Sequence, residues 1–369
     1  MRIQIFTNLD ALSTVAREWN ELAAGAPLRS YDWHATWQRH YGDASRGGLL
    51  VLGVFDGDRL IGLAPWRIER SLRRGTTIRW LGDGEVCTDH PTILSVRNAE
   101  QAVAATLADY LAAERGDWQL IDLADVDRDE VAVDLLGDEL ASRGSIVDRA
   151  PAGSCWRLTL PESWEALLQQ QSKSHRKQLR RSERFIETSD SFVWHAVSTA
   201  EDLQRAWPLL EDLHQRRRRS LGEPGCFASP KWAAYHREVS KQLLAEGRLR
   251  LFWSELDGRP FTAEYAFAGV GVWHAYQGGL DPDRLDISPG RLSMISLIRS
   301  AMEEGVREID FMRGDEPYKP HWRAAPHATD HVRIVPPRLS AQLRNQADRV
   351  ARRFRGVARA GLRAFAQSD

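Results

Sequence analysis

Two stretches of the chain carry nearly the same alternation of apolar and polar residues around an Asp-Gly turn. LLVLGVFDGDRLIGLAPWRI (residues 49–68) reads as two apolar strands reversing at Asp56-Gly57-Asp58, and RLRLFWSELDGRPFTAEYAF (residues 248–267) repeats the pattern around Asp257-Gly258. Asp-Gly between apolar runs is strong hairpin chemistry, because glycine accepts the positive φ that tight hairpin turns need. An amphipathic helix is expected before each hairpin, over residues 31–41 and roughly 230–246. After each hairpin a helix leads into a strand holding Ile-Asp-hydrophobic, Trp118–Leu123 in one half and Val306–Phe311 in the other. The pattern predicts one α/β unit made twice, a two-lobed molecule whose cleft is the natural place for a ligand. The expected boundaries are a first lobe over 1–155, a second over 156–335 and a basic amphipathic C-terminal helix over 336–369.

Between the hairpins, residues 163–187 predict one long helix. Trp164, Leu168, His175, Leu179 and Ile186 fall on one face, and Lys173, Lys177, Arg180 and Arg184 on the other, flanked by Arg176 and Arg181. Such a face either is simply solvated or contacts phosphates. Arg216–Arg219, near the end of another helix, suit the helix dipole without any ligand. In the tail, Leu339, Leu343, Ala347, Val350, Phe354, Val357 and Leu362 recur at helical spacing amid arginines. That stripe can dock on the body of the protein, or residues 338–369 can lie on an anionic membrane.

The chain has 369 residues, 43% hydrophobic and 27% charged, with a formal net charge of -1, so no global field recruits nucleic acid or membrane. Cys87, Cys155 and Cys226 lack metal-ligand spacing and read as reduced, buried thiols. MRIQIFTNLD lacks the apolar run of a signal peptide, and a cytoplasmic location is expected. No Ser/His/Asp triad, P-loop or dinucleotide fingerprint is evident, which argues against hydrolase, kinase and dehydrogenase chemistry. No metal is expected.

The richest segment is GGLDPDRLDISPGRLSMISLIRSAMEEGVREIDFMRGDEPYKPHW, residues 278–322. Ser288 can cap a helix, Pro289 fits its first turn, and Gly290 lets backbone N–H groups approach an anion. Glu264, alternating with apolar neighbours in FTAEYAF, is the first candidate for a general base, with Asp315 and Glu316 as alternatives. Tyr276 or Tyr318 can serve as the acid. In WLGDGEVCTDHPTIL (residues 80–94), Asp89 and His90 can bind an acceptor amine or take its proton, or can simply stabilise a turn.

Taken together, SHRKQLRR, LEDLHQRRRRSLGEPGCF, YQGGLDP, SPGRL and IDFMRGDEPYKPHW resemble the CelD/FemAB-like branch of the GNAT acyltransferases, which includes proteins tied to bacterial cellulose and exopolysaccharide production. The resemblance covers about residues 155–325 well and the first half more loosely. It implies an α/β fold of two tandem GNAT-like lobes with mixed sheets in a FemAB-like arrangement. It also implies acyl transfer from a thioester carrier, commonly acyl-CoA, to an amine such as an amino sugar. Ser288, Pro289, Gly290 and Arg291 occupy the place of the carrier loop, and Tyr276, Gln277 and Gly278 that of the strand end admitting the acyl arm. Arg313, Gly314, Glu316, Tyr318, Lys319 and Trp322 match the C-terminal signature; Arg313, Asp315, Glu316, Lys319 and Trp322, with His90, are the candidate acceptor-binding residues. The loop departs from the ordinary GNAT run Q/R-x-x-G-x-G/A in having Gly290 as its only glycine. Two alternatives stand beside this reading: a Fem-like transferase taking an aminoacyl group from tRNA held by residues 173–184, and an inactive GNAT scaffold.

Overall fold

A computed structural model describes residues 1–43, 45, 47–113 and 118–350. The first half runs β1 (Arg2–Phe6), α1 (Leu9–Ser13), α2 (Ala16–Leu22), α3 (Tyr31–Tyr41), β2 (Gly47–Asp56), β3 (Arg59–Ser71) and β4 (Gly75–Trp80). It continues with β5 (Leu94–Ser95), α4 (Glu100–Ala113), β6 (Trp118–Asp127), α5 (Val131–Ser142) and β7 (Ile146–Thr159). The second half runs α6 (Trp164–Gln170), α7 (Lys173–Thr188), β8 (Phe192–Ala196), α8 (Ala200–Ser220), α9 (Pro230–Ala245), β9 (Leu249–Leu256) and β10 (Arg259–Ala268). It ends with β11 (Val272–Leu280), α10 (Pro289–Glu303), β12 (Glu308–Arg313), α11 (Tyr318–His321) and β13 (Ala325–Val335).

Both hairpins form where the Asp-Gly turns place them. Asp56 faces Arg59 across the first turn and Leu256 faces Arg259 across the second. Gly57, Asp257 and Gly258 hold the positive φ values that such turns require. The likeness extends to a fault in the ladder: each returning strand skips one residue soon after its turn, Ile61 in β3 and Phe261 in β10. In each half three antiparallel strands follow one another, and a helix then delivers a strand parallel to the third: β4 beside β6, and β11 beside β12.

All strands join in one mixed sheet, ordered β1-β2-β3-β4-β6-β13-β7-β12-β11-β10-β9-β8, with β5 beside β3. The two halves exchange their last strands. β7 lies against β12 of the second half, while β13 lies against β6 of the first, and the two pair with each other from Ala325↔Arg157 to Val335↔Ile146. The exchange gives the Ile-Asp motif a physical role. Asp122 of β6 faces Arg333 of the incoming β13, with Nε–Oδ1 3.2 Å, and Asp310 of β12 faces Arg157 of the incoming β7, with Nε–Oδ2 3.3 Å.

Helices α3 and α9 form the second join between the halves. Trp33 meets Tyr235 edge-on at 5.4 Å and Phe267 at 5.5 Å, and the Tyr235 hydroxyl donates to the Trp33 carbonyl. Truncating a buried aromatic of this size costs about 3–5 kcal/mol.

Two sequence expectations change. The single helix over residues 163–187 is two, because the chain turns at Gln171 and Ser172 restarts it by accepting from the His175 N–H. Of the tail, residues 339–350 are helical and begin docked on the body. Ala341 packs with Leu120 and Val335, and the buried Asp348 pairs with Arg73, Arg74 and Arg333. The rest of the expected helix, with Phe354, Val357 and Leu362, lies outside the described residues. Among the described residues, no helix is long and apolar enough to cross a membrane.

Candidate active site

The sheet opens where β11 and β12 part. They pair only from Val272↔Glu308 to His274↔Asp310. Beyond that point Tyr276 is an extra residue in β11, bulged out of the pairing with β10, and β12 turns away with positive φ at Met312 and Gly314. A bulge of this kind bends its strand and re-aims side chains. Lys319 fixes the turn: its buried ammonium lies 3.2, 2.8 and 2.8 Å from the carbonyls of Met312, Arg313 and Gly314, and it pairs with Glu316. A cleft of about 800 Å³ results.

Glu264 of β10 lies in the cleft wall, opposite Gly278 of β11. Its carboxylate accepts from the Ser293 hydroxyl of α10 at 2.6 Å. A Cβ on Gly278 would come within 2.9 Å of Glu264 Oε2, so glycine at that position makes room for the carboxylate. Burial pushes the Glu264 carboxyl up to about 7, only partly offset by Ser293. A carboxyl poised near neutrality is suited to accept a proton from an amine. Tyr318 lines the same cleft, its ring edge-on to Phe311. Burial and the nearby acids Glu316 and Glu264 push its hydroxyl above the ordinary range.

Helix α10 begins at the cleft floor. Ser288 occupies the cap position but is left-handed (φ 59, ψ 58) and makes no side-chain cap bond, contrary to the expectation for it. By helix geometry the N–H of Gly290 has no partner inside the helix. Nothing in the chain itself calls for glycine there. Its φ is not positive, and an added Cβ would meet only Leu280 Cδ2, at 3.7 Å, an ordinary contact. Arg291, Arg217 and Arg218 line the same cleft, Arg218 paired with Glu223. No ion pair holds Arg291 or Arg217 among the described residues.

The family described as Acetyltransferase (GNAT) domain matches residues 173–320, a span that supplies most of the lining of this cleft. The chain is an acyltransferase that carries a GNAT acetyltransferase domain over that span. Three solved structures share the fold. FemX has a TM-score of 0.61 at 11% identity, covering 90% of this chain and 97% of that one. A conserved protein of unknown function from Bacteroides thetaiotaomicron VPI-5482 has a TM-score of 0.54 at 10% identity, covering 90% and 100%. The C-terminal domain of a putative lysylphosphatidylglycerol synthetase from Agrobacterium fabrum has a TM-score of 0.50 at 12% identity, covering 92% and 96%. No curated protein matches the chain.

In this acyltransferase the first half supplies one wall of the cleft, through Glu85, Cys87 and Asp89. Asp89 is buried and bound by Arg313, whose backbone N–H and side-chain Nε both reach its carboxylate, while Arg313 Nη1 pairs with Asp125 at 3.0 Å. Asp89 therefore neutralises Arg313 and is not free to act as a base. His90, expected to bind an acceptor, is not among the residues that line the cleft. It is buried at the seam, with Nδ1 2.8 Å from Asp127 and Nε2 2.8 Å from Asp310. Burial works against its charge, but the two carboxylates hold the imidazole well above its ordinary range, as an imidazolium joining β6 to β12. Burial likewise opposes ionisation of Asp310, yet His90 holds it down at about 2.

Other expectations are also corrected. The Tyr276 hydroxyl donates to the Val86 carbonyl and faces His236 Nε2 at 3.0 Å, so its proton is committed to the wall rather than to a leaving thiolate. Lys319 and Glu316 brace the turn and also line the cleft. Asp315 lies outside the cleft lining and accepts from the Trp156 indole. Trp322 is a buried floor residue against His175. Gln277, Gly278, Ser288, Pro289, Gly290 and Arg291 all line the cleft. The sequence did not single out Ser293, which orients the candidate base, or His214 and Cys226, which face the cleft from α8 and the loop after it. Neither Cys87 nor Cys226 is fully buried, against the reading of all three thiols as core.

Proposed function

We propose that this acyltransferase moves an acyl group from an acyl-CoA to an amine in the cleft between β11 and β12. The reading is carried by Glu264: a carboxyl near neutrality, held by Ser293, where two parallel strands part beside a helix start. The first turn of α10, with Arg291, Arg217 and Arg218, would hold the carrier's phosphates. The splay would admit the acyl arm. Glu264 would take a proton from the incoming ammonium and Tyr318 would supply one to the departing thiolate. Holding both reactants in line accounts for much of the acceleration in such a reaction. On the family resemblance, the acceptor we propose is an amino sugar of a surface polysaccharide, acylated in the cytoplasm.

Thermal-shift titration with coenzyme A, acetyl-CoA and longer acyl-CoAs tests this. A saturable rise in Tm is expected. Gly290→Leu should weaken it about 10- to 100-fold by closing off one charge-assisted contact at the helix start. The absence of any shift would overturn the reading.

A second reading keeps the fold and changes the donor to aminoacyl-tRNA. It is favoured by α7, where Lys173, Arg176, Lys177 and Arg181 are held by no ion pair among the described residues. Steeply salt-dependent tRNA binding, lost on reversing those charges, would select it.

A further inference from the structure

Beside Gly278, the β11 partner of Glu264, α8 and the loop after it bring a histidine and a thiol together. His214 is buried, at 2% exposure, and its Nδ1 lies 3.0 Å from the Gly278 carbonyl. A carbonyl only accepts, so Nδ1 carries the proton and Nε2 keeps its lone pair. Burial, the largest influence, keeps the ring neutral near neutral pH. Nε2 lies 3.4 Å from Cys226 Sγ, a distance at which a thiol hydrogen-bonds to nitrogen, and the Cys226 backbone N–H donates to the same nitrogen, also at 3.4 Å, holding the thiol's own residue against the ring. The Gln277 side-chain amide donates to the same sulfur at 3.4 Å, its orientation set by the Gly278 N–H donating to its oxygen. Phe227 stands edge-on to the imidazole at 5.3 Å and holds its plane. Cys226, His214 and Gln277 all line the cleft that receives the acyl arm.

We propose that Cys226 is an acyl acceptor in its own right and that His214 is its base, so that transfer runs through an acyl-Cys226 enzyme. Resting on the thioester-donor reading above, this inference adds a covalent stage to it. The resting thiol is neutral, because burial pushes it up to about 12, and activation comes through proton transfer during attack, as for a serine nucleophile. In the first stage the thiol proton passes to His214 Nε2 as the Cys226 sulfur bonds to the acyl carbon. The carbon–sulfur bond of the donor then breaks, and the departing thiolate takes the proton from His214. In the second stage the amine, bound as an ammonium, gives one proton to the Glu264 carboxylate and attacks the acyl carbon. The bond to Cys226 breaks, and the second amine proton returns to the Cys226 thiolate. Protons and electron pairs balance without any further reagent.

The full-length protein is incubated with acetyl-CoA in the absence of amine, quenched in acid and mapped by peptide mass spectrometry. The expected result is one acetyl group on Cys226, removed by neutral hydroxylamine as a thioester is, and absent from Cys226→Ala. Cys226→Ser preserves the packing and should reduce release of free coenzyme A to background. His214→Gln should slow formation of the adduct without shifting the acetyl-CoA dependence of Tm. Binding of acetyl-CoA with no adduct would overturn the relay and leave direct transfer standing, as would an acetyl group resistant to hydroxylamine. Absence of binding would remove the donor reading and the relay together.

Discussion

The two halves follow one backbone plan and differ in what fills the gap between their parallel strands. In the second half that gap is the 800 Å³ cleft. In the first, β4 and β6 also pair only briefly, from Thr76↔Trp118 to Ile78↔Ile121. There the Trp80 indole donates across to the Ala124 carbonyl at 3.1 Å, and the cavity that Trp80 borders, lined also by Pro65, Pro91 and Leu94 and by no residue of β6, is only about 10 Å³. A space that small holds at most one water. The ladder fault shared by the hairpins aligns Ala64, 0% exposed, with Glu264. The helix after the gap starts at Glu100 in the first half, an acid that repels phosphate, against Pro289-Gly290-Arg291 in the second. A handful of side chains on a common frame therefore separates the proposed reaction site from a packed wall, as expected when chemistry is grafted onto a fold. The wall still contributes: its loop neutralises Arg313 through Asp89 and receives the Tyr276 hydroxyl at Val86.

The contrast is most severely tested at Glu264. Glu264→Gln should lower kcat/KM by roughly 10²- to 10⁴-fold, the span of a positioned general base, and remove an acidic limb centred near pH 7 in the rate profile. An unchanged profile would mean that the gap between the strands is not where the proton moves.

His90→Ala asks whether the halves are joined by charge. It leaves Asp127 and Asp310 without the imidazolium between them and should cost about 3–5 kcal/mol in urea unfolding. The pH dependence has a definite sign. The folded-state pKa of His90 is raised, so its stabilisation is complete below the ordinary histidine range and is lost as pH rises through the higher folded value.

Glu264 has the opposite consequence for stability. Its carboxyl is raised to about 7, so the folded state favours the protonated form, and ionisation costs stability progressively between the ordinary carboxyl range and pH 7. Glu264→Gln should therefore stabilise the protein by on the order of 2–3 kcal/mol at pH 8 and by almost nothing at pH 4, measured by denaturant titration. The smallest effect is expected for Tyr276→Phe. It removes one hydrogen bond to the wall, about 1 kcal/mol, and should leave the rate of transfer nearly unchanged.

The elements legible in the sequence were those set by local chemistry. Asp-Gly turns, the helix over Tyr31–Tyr41 and the Pro289 helix start are decided within a few residues, and so were readable. The exchange of β7 and β13 was not, because strand pairing across 170 or so positions leaves no local trace (Arg157 faces Ala325). The break at Gln171 had a signal, Ser172 as an N-cap, outweighed by the continuous apolar stripe on either side. At the site, Glu264 stood out as a charge in an apolar strand. His90, Asp89 and Lys319 look equally chemical in sequence, and only their burial against opposite charges or carbonyls marks them as braces. Cys226 and His214 were unreadable for the converse reason: twelve residues apart, they meet only because Gly225, at φ 72, turns the chain back beneath α8.

The exchanged strands also set an order of events during synthesis. The partner of β6 is β13, and residues 325–335 emerge long after Asp127. At ribosomal rates of roughly 5–20 residues per second, the first half waits on the order of 10–40 s with β6 as an open edge. Such an edge is a template for pairing with other chains. The nascent protein thus depends on its last strand to close its first lobe, and a ribosome stalled before residue 325 would leave an aggregation-prone half-sheet rather than a folded N-terminal domain.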